Sequence, residues 1–138
     1  MLPVWPWGSP WLCGFGTCSL PRMTGDMSEE QHQIWLADWL NMRKLLWCHP
    51  PNGGHRNKIV GAKLKAQGVK RGVPDVIIFD PPPKGGHVGA AVELKAVGKG
   101  RATQDQKEWL RELGERGWAT TVVHGWTEAV AWLESLGY

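Results

Sequence analysis

The residues best suited to chemistry are Asp75, which ends the run Gly72-Val73-Pro74-Asp75, and the triplet Glu93-Leu94-Lys95. Val76-Ile77-Ile78-Phe79 follows the first, and Val88-Gly89-Ala90-Ala91-Val92 precedes the second. Short apolar runs bounded by turn formers read as buried strands. Between them, Asp80-Pro81-Pro82-Pro83-Lys84-Gly85-Gly86-His87 cannot continue a strand, so the chain folds back as a hairpin. A hairpin sets its strands side by side and can bring Asp75 near Glu93. Side chains alternate along a strand, so Glu93 and Lys95 share one face while Leu94 points to the other. Two carboxylates drawn out of water repel each other unless a cation lies between them. Hard carboxylate oxygens suit Mg²⁺, with water and a substrate phosphate completing its octahedron. A lysine beside them can position or activate the attacking water. In outline this is a site for metal-assisted phosphodiester hydrolysis.

The elements that must hold these residues follow from periodicity and punctuation. Ser28 is an N-cap with Gln31 at the capping-box position, opening a helix over 28–44 that carries Ile34, Trp35, Leu36, Trp39 and Leu40. Leu45-Leu46-Trp47-Cys48 is a short strand, stopped by the turn formers His49-Pro50-Pro51-Asn52-Gly53-Gly54. A second helix spans 58–67 and ends at Gly68. After the hairpin comes a basic loop, Gly98-Lys99-Gly100-Arg101, and then a helix over 104–116 capped by Thr103, with Trp109, Leu110 and Leu113 turned inward. A strand over 118–123 and a helix over 127–136 complete the order α-β-α-β-β-α-β-α. The expected fold class is α/β, a small mixed β-sheet flanked by helices.

A chain of 138 residues with 42% hydrophobic content is sized for one domain. Its net charge of +3 is by itself a weak pointer to nucleic acid. The distribution says more: His55 to Arg71 carries Arg56, Lys58, Lys63, Lys65, Lys70 and Arg71 without an acid, and it leads straight into Asp75. That placement favours a surface that tracks phosphates over a merely solvated helix face. Cys13, Cys18 and Cys48 form neither a zinc pattern nor a secreted disulfide framework, and they read as thiols of a reducing cytoplasm. Residues 1–26 hold Trp5, Trp7 and Trp11 among prolines and glycines, with almost no charge and no helical or strand period. They lack the basic region of a signal peptide and are too interrupted to span a bilayer. The expectation is an irregular leader, with the natural protein starting at Met27 or Met23 and the domain running over 27–138.

The motifs together resemble a known family. Pro51-Asn52-Gly53-Gly54 with Arg56, then Gly61, Leu64-Lys65 and Gly68, then Gly72-Val73-Pro74-Asp75, Glu93-Leu94-Lys95, and finally Thr103, Gln106, Leu110, Leu113 and Gly117 are similar to the VRR-NUC domain. That domain is a branch of the PD-(D/E)XK nuclease superfamily with a restriction-endonuclease-like core, and the resemblance extends over 28–136. It implies that Asp75 and Glu93 bind the metal, Mg²⁺ or Mn²⁺, together with the Leu94 carbonyl. Lys95 would orient or activate water, and Gln106 would point back at the site. Glu29 and Gln33, one helical turn apart, look like the acid and amide that the family supplies from its first helix, with Glu30 the alternative. The resemblance further implies DNA as partner, in phage replication, recombination or repair, and a symmetric homodimer acting on branched DNA. Asn52, Arg56, Lys58, Lys63, Lys70, Arg71, Lys99 and Arg101 would supply phosphate contacts.

Each residue also has a plainer reading. Asp75 could be a turn former after Pro74, and Glu93 with Lys95 a surface ion pair contributing about 0 to 1 kcal/mol. Gln106 could face solvent, and His49, His55 and His124 are not spaced as a metal cluster. The helical tryptophans at 35, 39, 109 and 132 read as core. Two other functions use the same residues: a DNA-binding module that does not cleave, and a restriction-type defence nuclease that prefers particular sequences.

Overall fold

The structure is a computed structural model that describes residues 27–51 and 58–138. The leader at 1–26 and the loop residues Asn52 and Arg56 lie outside the described residues.

Ser28 starts α1 (Glu29–Met42), its hydroxyl accepting the Gln31 N–H at 3.2 Å. His32, Leu36, Trp39 and Leu40 recur at helical spacing and form the buried stripe of α1. Ile34 falls off that stripe and is exposed, although its type suggested core. The partner of α1 is the last helix, α4 (Trp126–Ser135), and Trp35 meets Trp126 edge to face at 5.3 Å between ring centres.

The four strands, β1 (Trp47–Cys48), β2 (Val76–Ile78), β3 (Ala90–Lys95) and β4 (Ala119–His124), lie in that spatial order. Neighbours pair antiparallel from β1 to β3, and β3 pairs parallel with β4. A parallel pair needs a long crossover, and α3 (Gln104–Glu115) supplies it. Every residue of β3 is buried, as expected for a strand with a neighbour on each side and helices packed on it. Leu36, Leu40, Ile78, Leu94 and Leu133 fill the core between α1, α4 and the sheet.

Strand ends are shorter than the apolar runs. Leu46, Phe79 and Val88 lie outside the ladders and are exposed, and Trp118 precedes β4. Their backbones still continue the pairing irregularly: the Phe79 N–H donates to the Leu46 carbonyl at 2.8 Å, and Val88 N–H to Gly117 at 3.0 Å. Between them the chain squeezes past at Gly89, where a Cβ would sit 2.5 Å from the Trp118 ring and 2.7 Å from the Ile78 carbonyl oxygen. α2 (Lys58–Ala66) contributes no buried residue, leaving Ile59 and Val60 exposed. Among the described residues no helix is long and apolar enough to cross a membrane.

Candidate active site

The register of the β2/β3 hairpin builds the site. Val76 faces Val92, Ile77 faces Ala91 and Ile78 faces Ala90, so the next position toward the open end sets Asp75 opposite Glu93. Opposed residues of an antiparallel pair project to the same side. The Asp75 charge acts on the Glu93 carboxyl, and the Leu94 N–H donates to Asp75 Oδ2 at 2.9 Å. The hairpin therefore delivers the juxtaposition expected of it. Leu94 itself turns its side chain into the core.

Glu93 is wholly buried, and Lys95 is 8% exposed. The surface ion pair considered as the plainer alternative is thus excluded. Lys95 Nζ donates to Glu93 Oε1 at 2.5 Å, and Gln106 Nε2 donates to the same oxygen. Among the described residues Glu93 Oε2 has no hydrogen-bond partner, and neither does the buried Gln33 Nε2 on the Glu29 face of α1. Burial pushes the Glu93 carboxyl up to about 7: loss of hydration outweighs the Lys95 bond, and the nearby Asp75 charge adds to the rise. Lys95 also loses hydration, which alone would lower its pKa. The bond and charge of Glu93, with Glu29 and Asp75 behind them, prevail and hold it above its ordinary value.

Gln106 is held by the start of α3 and does not face solvent. Its side-chain oxygen accepts the Thr103 N–H at 2.8 Å, while its own N–H donates to Thr103 Oγ1 at 3.3 Å. This reciprocal capping box fixes the amide so that its nitrogen reaches Glu93. One residue earlier, Asp105 packs against the turn that leads to Asp75: a Cβ on Gly72, whose φ is +78°, would lie 2.6 Å from the Asp105 carbonyl carbon. His49, read from sequence as a loop or strand-end histidine, follows β1 directly and sits with Nδ1 2.5 Å from the Asp75 carbonyl oxygen. Nothing in His49-Pro50-Pro51 announces this, because the contact depends on β1 lying beside β2.

Does this donor set suit a divalent cation? A buried carboxylate oxygen without a partner, next to a second carboxylate, is a deficit that a cation would satisfy. Among the described residues no three His, Cys, Asp or Glu side chains converge. Glu29 accordingly acts on Lys95 through its charge and does not join Asp75 and Glu93 as a third converging acid. Two carboxylates with a backbone oxygen leave most positions to water and phosphate, the habit of Mg²⁺ and not of a caged structural ion.

Lys58 and Lys63 on α2, Lys70 and Arg71 after it, and Lys99 and Arg101 in the loop after β3 are all exposed. Lys70 and Arg71 shortly precede Asp75 in the chain, and Lys99 and Arg101 follow the end of β3. Arg71 Nε lies 3.8 Å from Asp105, an exposed pairing of little energetic weight.

Comparison with known proteins agrees with this geometry. Residues 27–126 match the VRR-NUC domain family. A solved structure described as a VRR_NUC domain protein aligns with a TM-score of 0.68 at 26% identity, covering 82% of this chain and 90% of that one. No curated protein matches the chain. The mixed four-stranded sheet with its helices is consistent with a restriction-endonuclease-like core. The chain belongs to the VRR-NUC domain family, a family of nucleases.

Proposed function

We propose that this protein is a divalent-cation-dependent endonuclease that hydrolyses DNA phosphodiester bonds, selects branched or junction DNA, and serves phage replication, recombination or repair as a homodimer. The observation that carries the reading is the buried, unpartnered Oε2 of Glu93 beside Asp75. Asp75, Glu93 and the Leu94 carbonyl would hold Mg²⁺ or Mn²⁺, which when bound supplies Lewis acidity at the scissile phosphate and a more acidic water. Lys95, on the same strand face as Glu93, orients the attacking water. Gln106 and His49 are positioning residues: the first steadies the Glu93 carboxylate, the second the Asp75 backbone. Lys58, Lys63, Lys70, Arg71, Lys99 and Arg101 hold phosphates and set the register of the duplex without reading bases.

The test is a cleavage panel on linear duplex, splayed, flap and four-way-junction DNA, with Mg²⁺, with Mn²⁺ and with EDTA. The expected result is cation-dependent nicking, strongest on branched substrates and absent in Asp75→Ala. Salt-sensitive binding without cleavage under either metal would instead make this a DNA-binding module, and a strong sequence preference at the cut would point to a restriction-type enzyme.

A further inference from the structure

Beside the carboxylate pair lies a groove whose aromatic and apolar lining the hydrolytic reading does not use. It encloses about 520 Å³ between α2 and the first turns of α3, with Leu64, Val69 and Trp109 as its apolar lining and Lys65 and Lys70 among its charged residues. The groove adjoins the site: Asp105 lines it while the next residue, Gln106, reaches Glu93. Trp109 is fixed in place, since its Nε1–H donates to the Arg71 carbonyl at 2.8 Å. The two acids of the lining are already matched, Asp105 to Arg71 at 3.8 Å and Glu108 to Arg111 at 2.6 Å. Lys65 and Lys70 have no carboxylate partner among the described residues. α2 itself has no buried side chain, and its Leu64 faces the groove.

We propose that this groove receives an unpaired nucleotide of the DNA strand, its base against Trp109 and its phosphates near Lys65 and Lys70. The inference rests on the nuclease reading and deepens it by naming what makes a substrate preferred. An aromatic ring fixed in advance beside unmatched lysines is the combination that single strands use, because every base has a stacking face and every nucleotide a charge. Drawing a paired base out of a duplex costs about as much as a stack returns, whereas a base already unpaired gains the stack outright. Flaps, splayed arms and junction centres would therefore bind better than uniform duplex, with no base contacts required.

The experiment uses the full chain in EDTA, so that binding is read without cleavage. The probes are duplexes carrying 2-aminopurine either in a three-nucleotide unpaired stretch or in a fully paired context. Wild type should quench the unpaired probe and bind it about 5- to 150-fold more tightly than the paired one. Trp109→Leu should relieve the quenching and bring the two affinities together, Trp109→Phe should restore most of both, and Lys65→Glu/Lys70→Glu should weaken binding of the unpaired probe. The lysines are exposed, so the double variant keeps the proposal testable even if Trp109→Leu fails to fold. Unchanged quenching and preference in the lysine variant, with Mg²⁺-dependent cleavage intact in wild type, would overturn the groove and spare the nuclease reading. A wild-type protein that neither binds nor cuts DNA would overturn both.

Discussion

Two charge clusters in this small protein make an instructive pair. Along α3, Arg111 bonds Glu108, Glu112 and Glu115, while Arg116 bonds Glu112. These groups are exposed or, at Glu112, half-exposed, and the arginines hold the Glu108 and Glu112 carboxyls below their ordinary range. At the end of the hairpin, Glu93 and Lys95 form a comparable pair with almost no exposure. There the acid is pushed up to about 7 and one of its oxygens has no partner among the described residues. Exposed charges on a helix are solvated and interchangeable, and they indicate little beyond solubility. A buried pair whose bonding is incomplete is costly to keep, and such deficits cluster where a ligand completes them.

The sharpest way to break the contrast is Asp75→Asn. Removing one anionic ligand should lower the cleavage rate by about 10³-fold or more while DNA affinity in EDTA is retained, as measured by single-turnover cleavage and gel shift. Lys95→Met comes next. It leaves Glu93 buried without its cation and should cost about 3 to 5 kcal/mol in urea unfolding, a loss that saturating Mg²⁺ should partly restore.

The pH dependence follows from the sign of the Glu93 shift. Its pKa is about 7 in the folded chain against an ordinary 4.5, so the folded state holds the proton more tightly. The stabilisation is fully present below about 4.5 and is lost as pH rises through about 7. Metal-free wild type should therefore lose up to ~3 kcal/mol relative to Glu93→Gln across that window, and denaturation series at fixed pH would measure it. A smaller effect is expected from Gln106→Ala, which removes both the Glu93 contact and half of the capping box. We expect cleavage to fall about 10- to 100-fold, as when other outer partners of a metal site are lost. Smallest of all, Arg111→Ala should leave cleavage and melting temperature close to wild type. A large loss there would erase the distinction between the clusters.

Much of this was legible in the residues. The element order is marked out by Ser28, Gly68, the triple proline, Thr103 and Gly117, and the hairpin follows from two apolar runs around a segment that cannot pair. The opposition of Asp75 and Glu93 is a consequence of that hairpin's register. The burial of Glu93 and Lys95 was not legible, because strand alternation fits a solvent-facing ion pair equally well. Burial depends on neighbours brought from elsewhere: Gln106 from α3, and Gly100, where a Cβ would lie 3.5 Å from Lys95 Cδ. Ile59 and Val60 are residue types that suit a helix core, and only the tertiary placement of α2 leaves them exposed. The role of His49 was missed for a related reason, since its partner Asp75 precedes β2, far away in sequence.

The claim on which everything else rests is that Asp75 and Glu93 share a divalent cation, and calorimetric titration with Mn²⁺ tests it most directly. Because burial raises the Glu93 pKa in the metal-free protein, binding in mildly acidic buffer should release protons. The release is seen as a heat that varies with the ionisation enthalpy of the buffer. Glu93→Gln and Asp75→Asn should each abolish the saturable heat. Equal Mn²⁺ affinity in wild type and both variants would contradict the account.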